Sequence, residues 1–404
     1  MKAKFTLKCM VCGKEYPNDC VGTCTCGGML DAFYGLDKIQ SFVDPLKKGL
    51  WRYWRLLPVD PPSSSLFQSN QTPLRKSRKL GDTLGVRNLW IKDESKNPTR
   101  TFKYREAILT ILRFHALGIR EFVACSTGNT AAAFSFVASN LGTIRVNLLI
   151  PRARMIDFQI PTTVKAAYID ADYYEVCDLG PKFAIGNHML WEGGFANFCR
   201  REGLKTIAFE VAERKLEPDW YVQAVGSGVG PCGVFKGYSE LQELGVVEKA
   251  PRVLCIQPET CSPMVRAFKA GREEFPTEFT VKHPTSCAKS LIQGRPSSTY
   301  PYVRRVVLTT EGNMESASEG EIRKAQKLMQ RYEGLSCEFS SATALAGLIK
   351  CLDEGTIDKS DVILLNHSGG VRKETNAELP IFPIEAPVAE IYRSMECSTL
   401  AKPC

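Results

Sequence analysis

Asn88-Leu89-Trp90-Ile91-Lys92, followed by Asn97-Pro98-Thr99-Arg100-Thr101-Phe102-Lys103-Tyr104-Arg105, decides the fold of this chain. The first run is short and apolar and reads as a strand. From Phe102 to Leu117 apolar residues recur at helical spacing. A strand that passes through a short turn into a helix is the opening of an α/β unit. Lys103 stands at the junction. An amine there faces a concave sheet edge beside an open helix N-terminus. Its pKa can fall, and it can act as a nucleophile toward an aldehyde. Taken alone, Lys103 also fits a solvated surface lysine, so its neighbours have to decide.

Outward from this segment the pattern repeats. Strands are predicted at 88–92, 121–125, 145–150, 171–176, 220–225, 252–257 and 361–366. Helices are predicted at 101–117, 129–142, 181–202, 231–244, 261–271, 319–332 and 341–354. Strands alternating with helices of this length predict an α/β fold with a doubly wound, mostly parallel sheet. Before it lie a cysteine-rich ribbon, 1–35, and a Pro/Ser-rich linker and N-terminal arm, 36–84. The catalytic region is expected over 85–380, with a C-terminal tail over 381–404.

The 404 residues are 44% hydrophobic and 24% charged, as in a globular protein. No run approaches the ~18 apolar residues of a membrane span, so no membrane partner is expected. Met1 to Lys8 has charge but no apolar stretch behind it, so no signal peptide is expected and the predicted location is cytoplasmic. Net charge is +8, yet the basic residues are dispersed without interleaved aromatics. That argues against nucleic acid and suits a small anionic substrate. The 16 cysteines should be reduced in such a compartment. The four histidines do not pair at metal spacing.

Cys9 and Cys12 form one knuckle and Cys24 and Cys26 a second, with Cys20 between. Four thiolates at this spacing can hold one zinc. The second knuckle is one residue short of Cys-x-x-Cys, so a metal-free ribbon whose cysteines serve only as packing groups stays open.

Three further segments follow predicted strands, at the edge where open α/β sheets bind ligands. In Cys125-Ser126-Thr127-Gly128-Asn129-Thr130, hydroxyls, an amide and a helix N-terminus form an anion cradle; the same residues also suit a plain helix cap. In Val225-Gly226-Ser227-Gly228-Val229-Gly230-Pro231-Cys232-Gly233, glycines let successive backbone N–H groups turn toward one phosphate. Gly228, Gly230 and Gly233, with Glu259 at the end of the next strand, also satisfy a dinucleotide fingerprint. Nothing else in the chain points to a nicotinamide, and Val234 stands where a Walker motif needs lysine. Asn366-His367-Ser368-Gly369-Gly370 ends an apolar strand with polar groups. An amine, a polar cradle, a glycine phosphate loop and a terminal polar turn together suit pyridoxal phosphate.

These segments carry a resemblance. Asn97 to Arg105 is similar to N-P-T-G-S-F-K-D-R, Ser126 to Thr130 to S-S-G-N-T, and Glu338-Phe339-Ser340-Ser341-Ala342 to E-P-S-S-A. With Gly226 to Gly230, they resemble the threonine synthase-like members of the tryptophan-synthase-β-like (fold type II) pyridoxal-phosphate enzymes. The likeness covers most of residues 5–373. It implies two α/β subdomains and a homodimer. Lys103 would carry the cofactor and move the Cα proton. Asn129 would bond the ring's phenolic oxygen, and Gly226, Ser227, Gly228, Val229 and Gly230 would bind the phosphate. His367 or Ser368 would face the ring nitrogen. Ser126, Thr127 and Thr130 would hold the substrate carboxylate, and Arg100 and Arg105 would supply extra anion contacts. The reaction implied is elimination or replacement on a phosphorylated amino acid: phosphohomoserine plus water giving threonine and phosphate. The alternative is a β-replacement such as that of cysteate synthase, phosphoserine plus sulfite. Arg100 stands in place of a glycine and Tyr104 in place of an aspartate, and His367-Ser368-Gly369-Gly370 departs from T-G-x-G.

Overall fold

A computed structural model describes the chain except residues 1–3, 21, 64–66, 68–70, 127, 153–159, 373–378 and 401–404, and describes no side chain of 397–400. The ribbon is a small antiparallel sheet of β1 (Phe5–Cys9), β2 (Glu15–Tyr16) and β3 (Leu30–Tyr34), in the order β2-β1-β3. Phe5, Leu7 and Cys9 alternate inward along β1, the period-2 pattern of a half-buried strand.

The main body begins with β4 (Leu74–Lys76), α1 (Lys79–Leu84), β5 (Leu89–Asp93) and α2 (Lys103–Ala116). It continues through β6 (Glu121–Cys125), α3 (Asn129–Leu141), β7 (Arg145–Pro151), β8 (Val164–Asp170), α4 (Tyr173–Gly186), β9 (Leu190–Trp191) and α5 (Phe198–Glu213). The chain then runs through β10 (Trp220–Ala224), α6 (Val229–Glu243), β11 (Arg252–Pro258), α7 (Pro263–Lys269), α8 (Tyr300–Thr309) and β12 (Asn313–Ala317). It closes with α9 (Glu319–Leu328), α10 (Phe339–Asp353), β13 (Ile363–His367), β14 (Ile381–Pro383) and α11 (Val388–Leu400).

Two sheets result. The larger has the order β12-β11-β10-β13-β5-β4, parallel except for β4, which runs antiparallel to β5. The smaller, β14-β8-β7-β6-β9, is parallel throughout. Every residue of β10 and β13 is buried, as expected where helices cover both faces of a parallel sheet. This is an α/β fold of two doubly wound subdomains. The chain starts the larger sheet, leaves through α2 to build β6 to β9, and returns through α5. The C-terminal ends of β5, β6, β10 and β13 therefore face one cleft.

Several sequence expectations need correction. The strand expected at 171–176 is β8, ending at Asp170, and Tyr173 already lies in α4. Two consecutive tyrosines favour a strand by propensity. Asp172 and Glu175 override this by forming a capping box, with Glu175 Oε2 accepting from the Asp172 N–H at 2.9 Å. The single helix expected at 181–202 is the end of α4, the short β9 and the start of α5, divided at Gly193 and Gly194, both at positive φ. The arm 36–84 contributes β4 and α1. The expected tail contributes β14, paired with β8, and α11, whose Ile391 and Met395 are buried with residues of α4.

One buried cluster ties α2 to β5 and α5. Arg105 Nε and Nη2 donate to Glu94 Oε2 and Oε1 at 2.7 and 2.9 Å, and Nη1 donates to Glu210 Oε1 at 2.6 Å. Lys92 Nζ, on β5, reaches Glu210 Oε2 at 2.6 Å. Two cations and two carboxylates balance, and none of the four residues is more than 3% exposed. Gly203 of α5 lies against the Arg105 carbonyl so closely that any side chain there would collide with it. That contact lets Glu210, two turns on, reach the guanidinium. Arg105 is thus spent on the fold and is withdrawn as an anion contact for substrate. Arg105→Ala should cost about 3–5 kcal/mol in denaturant unfolding, because it strands two buried carboxylates. Lys8→Ala, in an exposed pair with Glu15, should cost under about 1 kcal/mol.

Candidate active site

Lys103 is the first residue of α2, and its position is set by a segment far away in sequence. The Phe102 N–H donates to the Ser368 carbonyl at 2.9 Å, and the Gly370 N–H donates to the Arg100 carbonyl at 2.9 Å. Thr101 and Gly369 form an isolated antiparallel bridge between them. The turn after β13 is therefore stitched to the turn after β5, two strands that are neighbours in the larger sheet.

In front of Lys103 opens a cleft. Lys103, Asn129 and Thr130 line one side, Gly226 to Gly230 another, and Ser368 the floor. The Lys103 side chain keeps 16% exposure, and Nζ donates to Glu106 Oε1 at 2.6 Å. Burial draws the amine below the ordinary lysine range, and the Glu106 carboxylate partly opposes this. The amine also lies 4.7 Å from the centre of the Phe102 ring.

The glycine loop meets the cleft at the N-terminus of α6, where the first backbone N–H groups have no partner within the helix. Gly228, at φ +84°, precedes Val229, the first helical residue. A side chain there would strike Val303, and one at Gly230 would strike Gln223. The loop is bare backbone, the form an anion cradle takes. Gly233, the last glycine of the dinucleotide pattern, instead lets α6 close against Arg201 and Leu204 of α5.

Asn129 donates through Nδ2 to Glu338 Oε2 at 3.0 Å, and its buried Oδ1 has no partner among the described residues. Its amide thus has one polar atom to spare at the cleft wall. Ser368 Oγ lies 3.3 Å from Ser341 Oγ, which is itself held at 2.9 Å by both the N–H and the carbonyl of Gly369. An amine of lowered pKa, a bare N–H cradle, a spare amide atom and a hydroxyl fit an aldehyde-bearing, phosphorylated heteroaromatic cofactor.

Other expected residues lie elsewhere. His367 is fully buried, and its Nε2 sits 3.8 Å from Asp93 Oδ1. Burial takes its pKa down to about 4. Of the two candidates for a ring-nitrogen contact, Ser368 is the one at the cleft. The buried Ser126 hydroxyl accepts from the Gly128 and Ala131 N–H groups at 3.1 and 2.8 Å. It caps α3 and is corrected from a substrate contact to a structural one. Thr127 falls outside the described residues. Arg100 is exposed at φ +56° and does not line the cleft. Tyr173, Arg200, Gln223, Ser340 and 290–293 do line it and were not anticipated. Only Ser340 carried a signal, in the Glu338-to-Ala342 motif. Arg200 and Gln223 reach the cleft from the interior of a helix and a strand that read as plain scaffold.

In the ribbon the four cysteine sulfurs converge. Those of Cys9, Cys12, Cys24 and Cys26 all lie within 4.8 Å of one another, with Cys9 to Cys26 and Cys12 to Cys24 at 3.5 Å. Tetrahedral Zn–S bonds of about 2.3 Å set sulfurs ~3.8 Å apart, so the donor set fits zinc. Among the described residues no helix is long and apolar enough to cross a membrane.

Comparison with known proteins agrees with this geometry. A family profile described as "Pyridoxal-phosphate dependent enzyme" matches residues 66–369. The chain is 30% identical to a threonine synthase of Methanocaldococcus jannaschii, over 92% of its own length and 94% of that protein. It is also 30% identical to a cysteate synthase of Methanosarcina mazei, over 95% and 96%. Among solved structures it superposes on maize serine racemase with TM-score 0.60 at 19% identity, over 81% of this chain and 92% of that one. At that identity the match speaks to the fold.

The turn before Lys103 keeps a left-handed residue where Arg100 stands, and a non-glycine pays about 1–2 kcal/mol for that conformation. Arg100→Gly should therefore stabilise the protein by up to about 1 kcal/mol, once glycine's extra unfolded-state freedom is subtracted. Thermal unfolding of the two proteins checks it; a loss of stability would mean that the arginine side chain outweighs the strain.

Proposed function

Since this chain belongs to the pyridoxal-phosphate-dependent enzyme family, we propose that it is a lyase or synthase acting on a phosphorylated amino acid. The reading put first is threonine synthase-like, phosphohomoserine plus water giving threonine and phosphate. Cysteate synthase-like replacement, phosphoserine plus sulfite, is the second. It is kept because relatives of both activities match at 30% identity across nearly the whole chain. The observation that carries the proposal is Lys103, an amine of lowered pKa facing the bare Gly226–Gly230 loop across one cleft.

In this reading Lys103 would hold the cofactor through its aldehyde carbon, the carbonyl oxygen leaving as water, and Gly226 to Gly230 with the α6 N-terminus would hold its phosphate. Asn129 and Ser368 face the ring's oxygen and nitrogen. Pyridoxal phosphate, when bound, supplies an electron sink for a carbanion at the substrate Cα. Lys103, once free, takes the proton from that Cα. Thr130 holds the substrate carboxylate. Arg200 also lines the cleft, buried and paired with Glu192 and Glu106.

Purified protein should be yellow, and borohydride should fix the cofactor on Lys103. Phosphate release from phosphohomoserine in water, against phosphoserine with sulfite, separates the two reactions. Lys103→Ala should be colourless and at least about 10³-fold slower. A colourless wild type, or a label on another lysine, would overturn the reading.

We also propose that residues 1–35 are a structural ribbon whose Cys9, Cys12, Cys24 and Cys26 hold one zinc. Elemental analysis should find one zinc per chain, and Cys12→Ser should lower it. Chelation should reduce the melting temperature, since metal binding in such a unit is folding energy. Metal-free protein with an unchanged melting temperature would refute the site.

A further inference from the structure

Four charged side chains form a row that begins at the cleft. Lys103 Nζ lies 2.6 Å from Glu106 Oε1, and Glu106 Oε2 lies 3.5 Å from Arg200 Nη1. Arg200 then turns its fork to Glu192, with Nε and Nη2 at 2.8 and 2.5 Å from the two carboxylate oxygens. Glu192 is fixed in turn by the Gly194 N–H at 2.9 Å and Asn197 Nδ2 at 2.8 Å. The charges alternate and cancel when Lys103 is protonated. Glu106 is fully buried, and a buried carboxylate needs a close cation. The short edge of Arg200 is already committed to Glu192. Lys103, one helical turn before Glu106 on the same face of α2, is the close partner that remains.

We propose that Glu106 is a positioning residue for Lys103: its carboxylate docks the amine whenever the lysine is free, keeps it protonated, and so sets the pH at which it becomes a nucleophile. The other groups facing this pair do not offer the same service. Arg200 from α5 repels the ammonium. Glu192 stands behind Arg200. Tyr173 from α4 and Cys125 from β6 are held protonated by burial, and Cys177 of α4 lies beside them. Burial and Arg200 lower the lysine's pKa, and Glu106 is the first of the opposing influences. Without Glu106 the amine should lose its proton at lower pH.

The inference rests on Lys103 being the cofactor lysine. Its test uses full-length protein stripped of cofactor, with pyridoxal and cyanoborohydride as the probe and peptide mass mapping of Lys103 across pH. In Glu106→Gln the midpoint of labelling should fall by about one unit, so that labelling at neutral pH is about tenfold faster. Glu106→Asp, with its longer gap to the amine, should give a smaller fall. An unchanged or raised midpoint in Glu106→Gln overturns the proposal. If circular dichroism shows that variant unfolded, Glu106→Asp decides alone, and a midpoint equal to that of wild type overturns it. A label absent from Lys103 in wild type sinks the cofactor assignment instead, which keeps the two failures apart.

Discussion

The buried pairing of Arg105 with Glu94 and Glu210 is the constraint on which the rest of the molecule hangs. It joins the end of β5, the first turn of α2 and the last turn of α5. Those are the points where the chain leaves the larger sheet and comes back to it. A charge pair of this kind does little for stability compared with apolar packing, but it has one low-energy arrangement. Here that arrangement sets the start of α2. Lys103, two residues before Arg105, takes its place from it.

The cleft inherits this order. Its amine, amide, glycine loop and hydroxyl come from four strand ends separated by most of the chain. They meet because the parallel strands of each sheet end on one side, β5, β10 and β13 in the larger sheet and β6 in the smaller. The hydrogen bonds between the turns at Arg100–Phe102 and Ser368–Gly370 then fix the distance between first and last. Charge follows the same division. Arg105 and Lys92 are neutralised by Glu94 and Glu210 inside the fold, and Lys103 and Arg200 by Glu106 and Glu192 at the cleft.

Much of this was legible in the chain. Lys103, Asn129, Thr130 and the loop Gly226 to Gly230 stand next to strand–helix junctions and Ser368 at a strand end, and such boundaries show in periodicity. The convergence of Cys9, Cys12, Cys24 and Cys26 was legible because two closely spaced cysteine pairs sit on one short ribbon. The misreadings share a cause. Arg105 looked like a cleft residue because it neighbours Lys103, but a helix turns 100° per residue and carried it to the opposite side. His367 and Ser368 alternate along a strand and its turn, so one is buried and the other faces the cleft. Tyr173 and Tyr174 read as strand until the Asp172–Glu175 box began a helix.

The local signals of the chain determined the alternation of strands and helices, the cysteine ribbon, and the set of junctions at which chemistry could sit. These depend on neighbours a few residues apart. Only the tertiary structure decided which charged groups face the cleft and which are consumed in holding it together. Arg200, Glu106 and Gln223 are chemically ordinary positions in a helix or strand. What distinguishes them is the distant partner that packing supplies: Arg200 Nη1 lies 3.5 Å from Glu106 Oε2, 94 residues away, and Asn366 Nδ2 donates at 3.0 Å to Gln223 Oε1, 143 residues away.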